Sequence, residues 1–296
     1  MTTTSTRPAD LEWRVFRGSE AVRDGLLTPH QLRSSAWLHV RHDTYADARM
    51  TRDHRLACQA FRLRLPPLTV FAGPSAAYLH GVAHAADFDD EVHVIVPPYI
   101  RVAHQHGLRP HALLLEAAER GETDGMATTT PLRTAWDSAL WLELGAAVAI
   151  VDSLLALGRV TRDELTALAD RRLGQPWTRR ARRVFDLSDG RARSPAESHL
   201  RIGLITAGLP RPLVRYPVEL PDGGVAHPAL SWPRFRVAIE LEEREACDIH
   251  LIGRERRGRL ASAGWTVLQV ASRRSQRDFA SVVREIRPTL VSHGWR

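Results

Sequence analysis

The sequence predicts an α/β protein laid out in three segments, and three patterns in its 296 residues carry that prediction. A polar and apolar alternation over 37–46 reads as a strand hairpin behind two short helices, and a long apolar helical run fills 130–157. From residue 194 the order becomes helix, three strands, helix, strand, which makes a mixed sheet flanked by helices. The segments are set at 1–53, 54–185 and 186–296. A hydrophobic fraction of 44% supports real cores in a chain longer than one ordinary domain.

In the first segment, Thr28 and Pro29 form an N-cap and first-turn pair that opens a helix through Leu32. The stretch "WLHVRHDTYA" then alternates like two strands that turn near His42 and Asp43. Helices followed by a hairpin predict a small winged helix-turn-helix. Such a unit places its second helix in the DNA major groove, or serves as a protein contact.

The middle segment mixes helices and strands. "SAAYLHGV" reads as a helix capped by Ser75, "EVHVIVP" at 91–97 as a strand, and "TPLRTAWDSALWLELGAAVAIVDSLLAL" as helix starting at Thr130 and Pro131. His80, His93, His104, His106 and His111 are scattered at spacings that match no ligand set, which favours surface or packing roles. Cys58 and Cys247 likewise fit no zinc spacing and read as two unrelated reduced thiols.

In the third segment, "SPAESHLRIGLITAGLP" is a helix with Ser194 as N-cap, Pro195 at the first position, Glu197 at the third and Gly208 just past the end. Strand candidates "LVRYPVEL", "GVAHPAL" and "FRVAIELE" follow as an antiparallel meander. The helix "RERRGRLASAG" and the strand "WTVLQV" complete a strand-helix-strand crossover before a terminal helix from about 275.

The net charge is +7, and every basic residue other than histidine is arginine, because the chain contains no lysine. No lysine can therefore act as a base or charge stabiliser. Eight arginines in 171–193 face only Asp186 and Asp189, which reads either as a solvated helix and linker or as a phosphate-binding surface. Arg179, Arg180, Arg182 and Arg183 are the DNA-binding candidates of that run, with His250 and Arg254 as further phosphate contacts. No apolar run of about 18 residues and no signal-type leader is present, so the expectation is a cytoplasmic protein with no membrane partner.

In "VAIELE" the alternation puts Val237, Ile239 and Leu241 on one face and Glu240 and Glu242 on the other. A hairpin around Pro233 and Arg234 brings 227–230 alongside 238–240, so an acid at position 229 would complete a cluster for a hard cation. Position 229 is alanine. Glu197, by contrast, sits where a capping-box glutamate belongs, and Glu242 sits among charged residues at a strand end; each has a structural reading beside the functional one. Glu240 lies between apolar strand residues and needs a partner, a metal or an arginine.

Residues 194–270 resemble the very-short-patch-repair-like endonuclease domain of the PD-(D/E)xK nuclease superfamily. Pro228 stands at the Pro of the motif and Ala229 where an aspartate is expected; Glu240-Leu241-Glu242 follows after ten intervening residues, and Glu197 matches the helix glutamate. The resemblance implies a PD-(D/E)xK-like mixed sheet, a magnesium or manganese cofactor bound by Glu240, Glu242 and the residue at 229, and catalysis by these with Glu197. It departs from the family pattern in Ala229, in Glu242 where lysine is usual, and in "EEREACDIH" after the strand. Three readings of Ala229 stand: an introduced change from aspartate, a natural pseudonuclease, or a shifted alignment. The first is favoured because Glu240 and Glu242 stay acidic and in register.

Residues 12 to about 140 are also similar to the antitoxin region of AbiEi-type proteins, through the expected winged helix and "TTPLRTAWD" at 129–137. Two functions follow from the resemblances. The leading one is a magnesium-dependent DNA endonuclease or nickase, inactive as it stands. The other is a non-enzymatic DNA-binding regulator or antitoxin with a toxin partner and a pseudonuclease domain. Either has DNA as partner and leaves room for a homodimer.

Overall fold

The computed structural model describes residues 7–242 and 247–296, and the side chains of 7–242 and 255–296. The chain divides into two compact units, residues 1–138 and 139–296.

The first unit begins with β1 (Val15–Arg17), α1 (Gly18–Arg23), β2 (Trp37–Arg41) and β3 (Thr44–Asp47), and its first sheet has the order β1-β3-β2, antiparallel throughout. The hairpin turns at His42 and Asp43 as the alternation predicts, with Asp43 at φ +55°. Thr28 caps as expected: its Oγ1 accepts from the Gln31 N–H at 3.2 Å, and its own N–H donates to Gln31 Oε1 at 2.7 Å. The helix expected there is one 3-10 turn, Gln31–Arg33, because Ser34 leaves it extended at ψ 160°. Phe16 packs edge-on against Trp37 at 5.1 Å in the small core these elements enclose.

There follow α2 (His54–Arg62), β4 (Val70–Phe71), α3 (Gly73–Leu79), β5 (Val92–Val96), β6 (Leu108–Ala112), β7 (Arg120–Thr123), β8 (Met126–Thr129) and α4 (Pro131–Trp141), within which the unit boundary falls. The strands form a sheet of order β6-β5-β4-β8-β7, parallel at β5–β6 and β4–β8. Ser75 is not a cap. It lies inside α3, buried, where its Oγ donates to His54 Nε2 at 2.8 Å and accepts from the His93 N–H at 2.9 Å. The tautomer of His54 is set by the Asp87 carbonyl, which can only accept, from Nδ1 at 2.7 Å. His80 Nε2 donates to the Thr129 carbonyl in the same way at 2.8 Å, and His93 and His111 stack with nitrogens 3.1 Å apart. Three of the scattered histidines, His80, His93 and His111, thus have packing roles. In "TTPLRTAWD", Arg133 and Asp137 are buried one helical turn apart and paired at 2.8 Å, with Glu119 on the same guanidinium at 2.7 Å.

In the second unit the helical run breaks at Leu142 and Glu143, so α4 is followed by a separate α5 (Leu144–Ala156), then α6 (Arg162–Arg171), α7 (Thr178–Leu187) and α8 (Pro195–Thr206). The chain continues through β9 (Leu213–Val214), β10 (Val218–Glu219), β11 (Val225–Ala226), β12 (Leu230–Trp232), β13 (Val237–Glu242), α9 (Cys247–Ser262), β14 (Thr266–Ala271), α10 (Ser272–Arg277) and α11 (Phe279–Ser292). The sheet order is β14-β13-β12-β9, with β12 antiparallel to β13 and β14 parallel to it across α9, which is the expected crossover. The meander is only partly as expected. "LVRYPVEL" and "GVAHPAL" each split in two, leaving β10 and β11 as their own two-stranded sheet, because Arg215 sits at φ +50° and turns the chain out of the strand. Leu200, Leu204, Leu230, Val237, Ile239 and Ile286 are fully or nearly fully buried in one core under this sheet. Burial of each such side chain contributes about 1.5–3 kcal/mol.

Candidate functional site: carboxylates balanced by arginines

Three elements converge on the residues singled out by the sequence. Ser194 caps α8 by accepting the Glu197 N–H at 3.2 Å, with Pro195 in the first turn, so Glu197 is fixed at the helix start. β12 pairs with β13 through Leu230↔Ile239, so Ala229 lies one step before the ladder, beside Glu240. The Pro233–Phe235 turn and Arg236 at φ +50° close this hairpin where the sequence places it. Glu240 pairs across β14 with Gln269.

Arginines join these positions. Glu197 is 4% exposed, and both its oxygens are engaged: Oε1 accepts from Arg215 Nη2, and Oε2 from the Arg193 N–H at 3.0 Å. The Glu197 carboxylate thus departs from a capping box, whose acid would reach back to Ser194. Arg215 also donates through Nη1 to the His227 carbonyl at 3.1 Å, and that carbonyl receives Arg256 Nη2 as well. Arg256 Nε in turn lies 3.1 Å from Glu240 Oε1. The result is one chain of alternating charge, Glu197 to Arg215 to the His227 carbonyl to Arg256 to Glu240. His227 Nδ1 donates back to the Arg215 carbonyl at 3.3 Å and locks the crossing.

Although Arg256 is close, Glu240 Oε1 receives no aligned hydrogen bond among the described residues. Burial pushes the Glu240 carboxyl above its ordinary value; Arg256 and Arg215 pull it back, and the charge of Glu197 adds to the push. Ala229 is 2% exposed and supplies no oxygen. Glu242 is half-buried at the end of β13. Magnesium takes six oxygen ligands, one or two of them carboxylates free to face it and several of them waters. Here both oxygens of Glu197 are engaged by donors, Glu240 faces an arginine and position 229 is apolar; among the described residues no group of three His, Cys, Asp or Glu can hold a metal. The described residues as they stand do not fit magnesium or manganese.

The cluster rests on a buried foundation. Asp152 on α5 accepts from Arg201 Nη2 at 2.7 Å, from Ser198 Oγ at 2.6 Å and from the Asp189 N–H at 2.6 Å. Ser198 and Arg201 are on α8, so this set anchors the helix that carries Glu197.

The structure sorts the arginine run. Arg180 is spent on the end of α4, where its Nε donates to the Ala139 carbonyl at 3.0 Å and its Nη2 to that of Leu142. Arg182 pairs with Asp170 and Arg191 with Asp189. Arg179 and Arg183 are exposed on α7, one turn apart, with no anionic partner among the described residues. His250 and Arg254 lie on α9, but their side chains are outside the described residues. Sequence reasoning missed Arg215 and Arg256, whose partners are set by a left-handed backbone and a crossover helix, and it passed over Trp177 inside the arginine run. The only sequence signal for Trp177 is an aromatic among cations.

Residues 69–187 match the family model described as AbiEi antitoxin C-terminal domain. The uncharacterized proteins MT2308 and Rv2248, from two strains of Mycobacterium tuberculosis, are each 32% identical to this chain over 216 residues, covering 70% of it and 78% of the relative. The crystal structure of RV2827C protein from Mycobacterium tuberculosis superposes on 69% of this chain and 79% of its own, with a TM-score of 0.41 and 16% identity.

Proposed function

Since this chain belongs to the family of the mycobacterial proteins Rv2248 and MT2308 and carries a match to the AbiEi antitoxin C-terminal domain, we propose that it is a non-enzymatic DNA-binding regulator of antitoxin type. The observation that carries this reading is the domain match over 69–187. The neutralised carboxylates support it: Glu197 and Glu240 face Arg215 and Arg256, so a PD-(D/E)xK-like domain would serve as a scaffold and not as a cutting site.

In this proposal the β1-β3-β2 sheet with α1 acts as a winged helix, and the exposed arginines of α7 add phosphate contacts. A toxin is the protein partner that an antitoxin of this family implies. The test is a mobility-shift titration with DNA from upstream of its own reading frame against unrelated DNA of equal length. The proposal expects the upstream fragment to be retained at salt concentrations that release the other. Equal loss of both would remove the regulator reading.

One observation favours a second reading, the endonuclease. Glu240 Oε1 is a buried oxygen without an aligned donor, as a ligand position would be. That reading needs aspartate at 229, and plasmid nicking by Ala229→Asp that vanishes on adding Glu240→Ala would establish it.

A further inference from the structure

Two tryptophans are strongly exposed, Trp13 at 58% and Trp177 at 69%, and both have left-handed backbones, at φ +56° and +71°. A bulky residue in that region is an outlier that the surroundings must hold in place. The two differ in what covers them. The Arg49 guanidinium lies 4.5 Å from the Trp13 ring, whereas Trp177 has neither a ring nor a guanidinium partner among the described residues.

The turn that presents Trp177 is tightly built. Thr178 is buried, and its Oγ1 donates to the Arg172 carbonyl at 2.5 Å and to the Gln175 carbonyl at 3.1 Å. The Trp177 carbonyl accepts the Arg180 and Ala181 N–H groups at 2.9 and 3.2 Å and so starts α7. An exposed ring is therefore held on a fixed backbone. Beside it is a concavity of about 730 Å³ lined by Leu173, Gln175, Trp177, Arg179 and Arg182. Leu173 is itself 64% exposed. Arg179 lines this concavity with unneutralised charge, and Arg183 is exposed one turn further along α7.

We propose that Trp177, with Arg179 beside it, is a stacking site for an unpaired nucleobase of a nucleic-acid strand. The proposal rests on the nucleic-acid reading above and adds the form of substrate that this surface takes. An aromatic face accepts any base, and an adjacent guanidinium takes a neighbouring phosphate; that combination is how single strands are held without sequence readout. Duplex DNA keeps its bases stacked and offers such a ring nothing to bind but an end.

The test is fluorescence anisotropy of the full chain with three labelled probes: oligo(dT) of twenty nucleotides, a twenty-base-pair duplex, and poly-glutamate. Trp177→Ala is expected to weaken oligo(dT) binding about ten-fold while duplex binding changes less than about two-fold, with Trp177→Phe recovering most of the loss. Oligo(dT) binding unaffected by Trp177→Ala, in a chain that still binds duplex, overturns this proposal and leaves the regulator reading intact. Binding to neither nucleic acid removes both. Trp177-dependent capture of poly-glutamate without oligo(dT) would make the surface a docking site for an acidic protein and overturn the proposal.

Discussion

Arg256 Nε stands 3.1 Å from Glu240 Oε1, an oxygen to which no N–H is properly aimed. The arginine therefore compensates charge without satisfying the acceptor. The adjacent Ala229 shapes the same spot with a methyl group that is almost wholly buried. An Ala229→Asp change would add a second buried acid there.

On the regulator reading, Ala229→Asp destabilises the fold by about 1–3 kcal/mol, the cost of an imperfectly solvated buried polar group, and magnesium does not recover it. Thermal melts with and without magnesium check this. A rise in melting temperature confined to the magnesium arm would move the assignment to the endonuclease.

Asp152→Ala should destabilise the protein by about 3–5 kcal/mol, because it leaves the Arg201 guanidinium buried without its counter-charge. Urea unfolding measures the loss, and Asp152→Asn should cost less because an amide can still accept. A loss below about 1 kcal/mol for the alanine variant would show that α8 is not anchored through this pair.

The two kinds of arginine on α7 should separate by salt dependence. Each duplex phosphate contact contributes about 0.9 to the slope of log affinity against log salt, so Arg179→Ala with Arg183→Ala should flatten it by about 2. Arg182→Ala, whose side chain already holds Asp170, should change it less than either; Arg180→Ala should instead lower stability through the carbonyls of α4. Equal slopes for the double variant and the parent would place DNA contact elsewhere.

Burial, with the Arg109 charge behind it, pushes His93 down to about 4, and burial with the neighbouring His93 does the same to His111. The unfolded chain takes up protons near the ordinary value of 6.5, which the folded chain refuses until about pH 4. Stability is therefore full above about 6.5 and declines as pH falls through that window. Urea midpoints between pH 7.5 and 4.5 should drop for the parent and stay flatter for the His93→Gln, His111→Gln double variant. Parallel curves would mean that these rings do not govern acid sensitivity.

The legible parts of this chain were those decided within a few residues. Ser194 before Pro195 and Thr28 before Pro29 cap as the sequence indicates, and the 227–242 hairpin has its expected turn. The helix after Thr28 is absent despite its cap, because a cap removes an unfavourable end without supplying the buried face that sustains further turns. Ser75 carries a helix-starter composition, yet two histidines from other elements recruit its hydroxyl. At the carboxylate cluster, the acids could be found from strand periodicity, but their counter-ions could not. Arg215 is placed by a positive φ that arginine rarely adopts, and Arg256 by the return of α9 over β13. The arginine run could be seen as basic but not sorted, since the acceptors of Arg180 are carbonyls some forty residues away.

The tie between α5 and α8 also says where this molecule can be divided. The segment that matches the AbiEi antitoxin C-terminal domain stops at residue 187, but the carboxylate of Asp152 inside it is completed by Ser198 and Arg201 beyond it. The two helices approach so closely that a methyl group added at Gly145 would come within 2.8 Å of the His199 ring. The matched segment and the compact unit that holds α5 and α8 therefore have different ends. A fragment cut at residue 187 would retain a buried anion stripped of its donors, so any excised piece that keeps α5 has to carry α8 along with it.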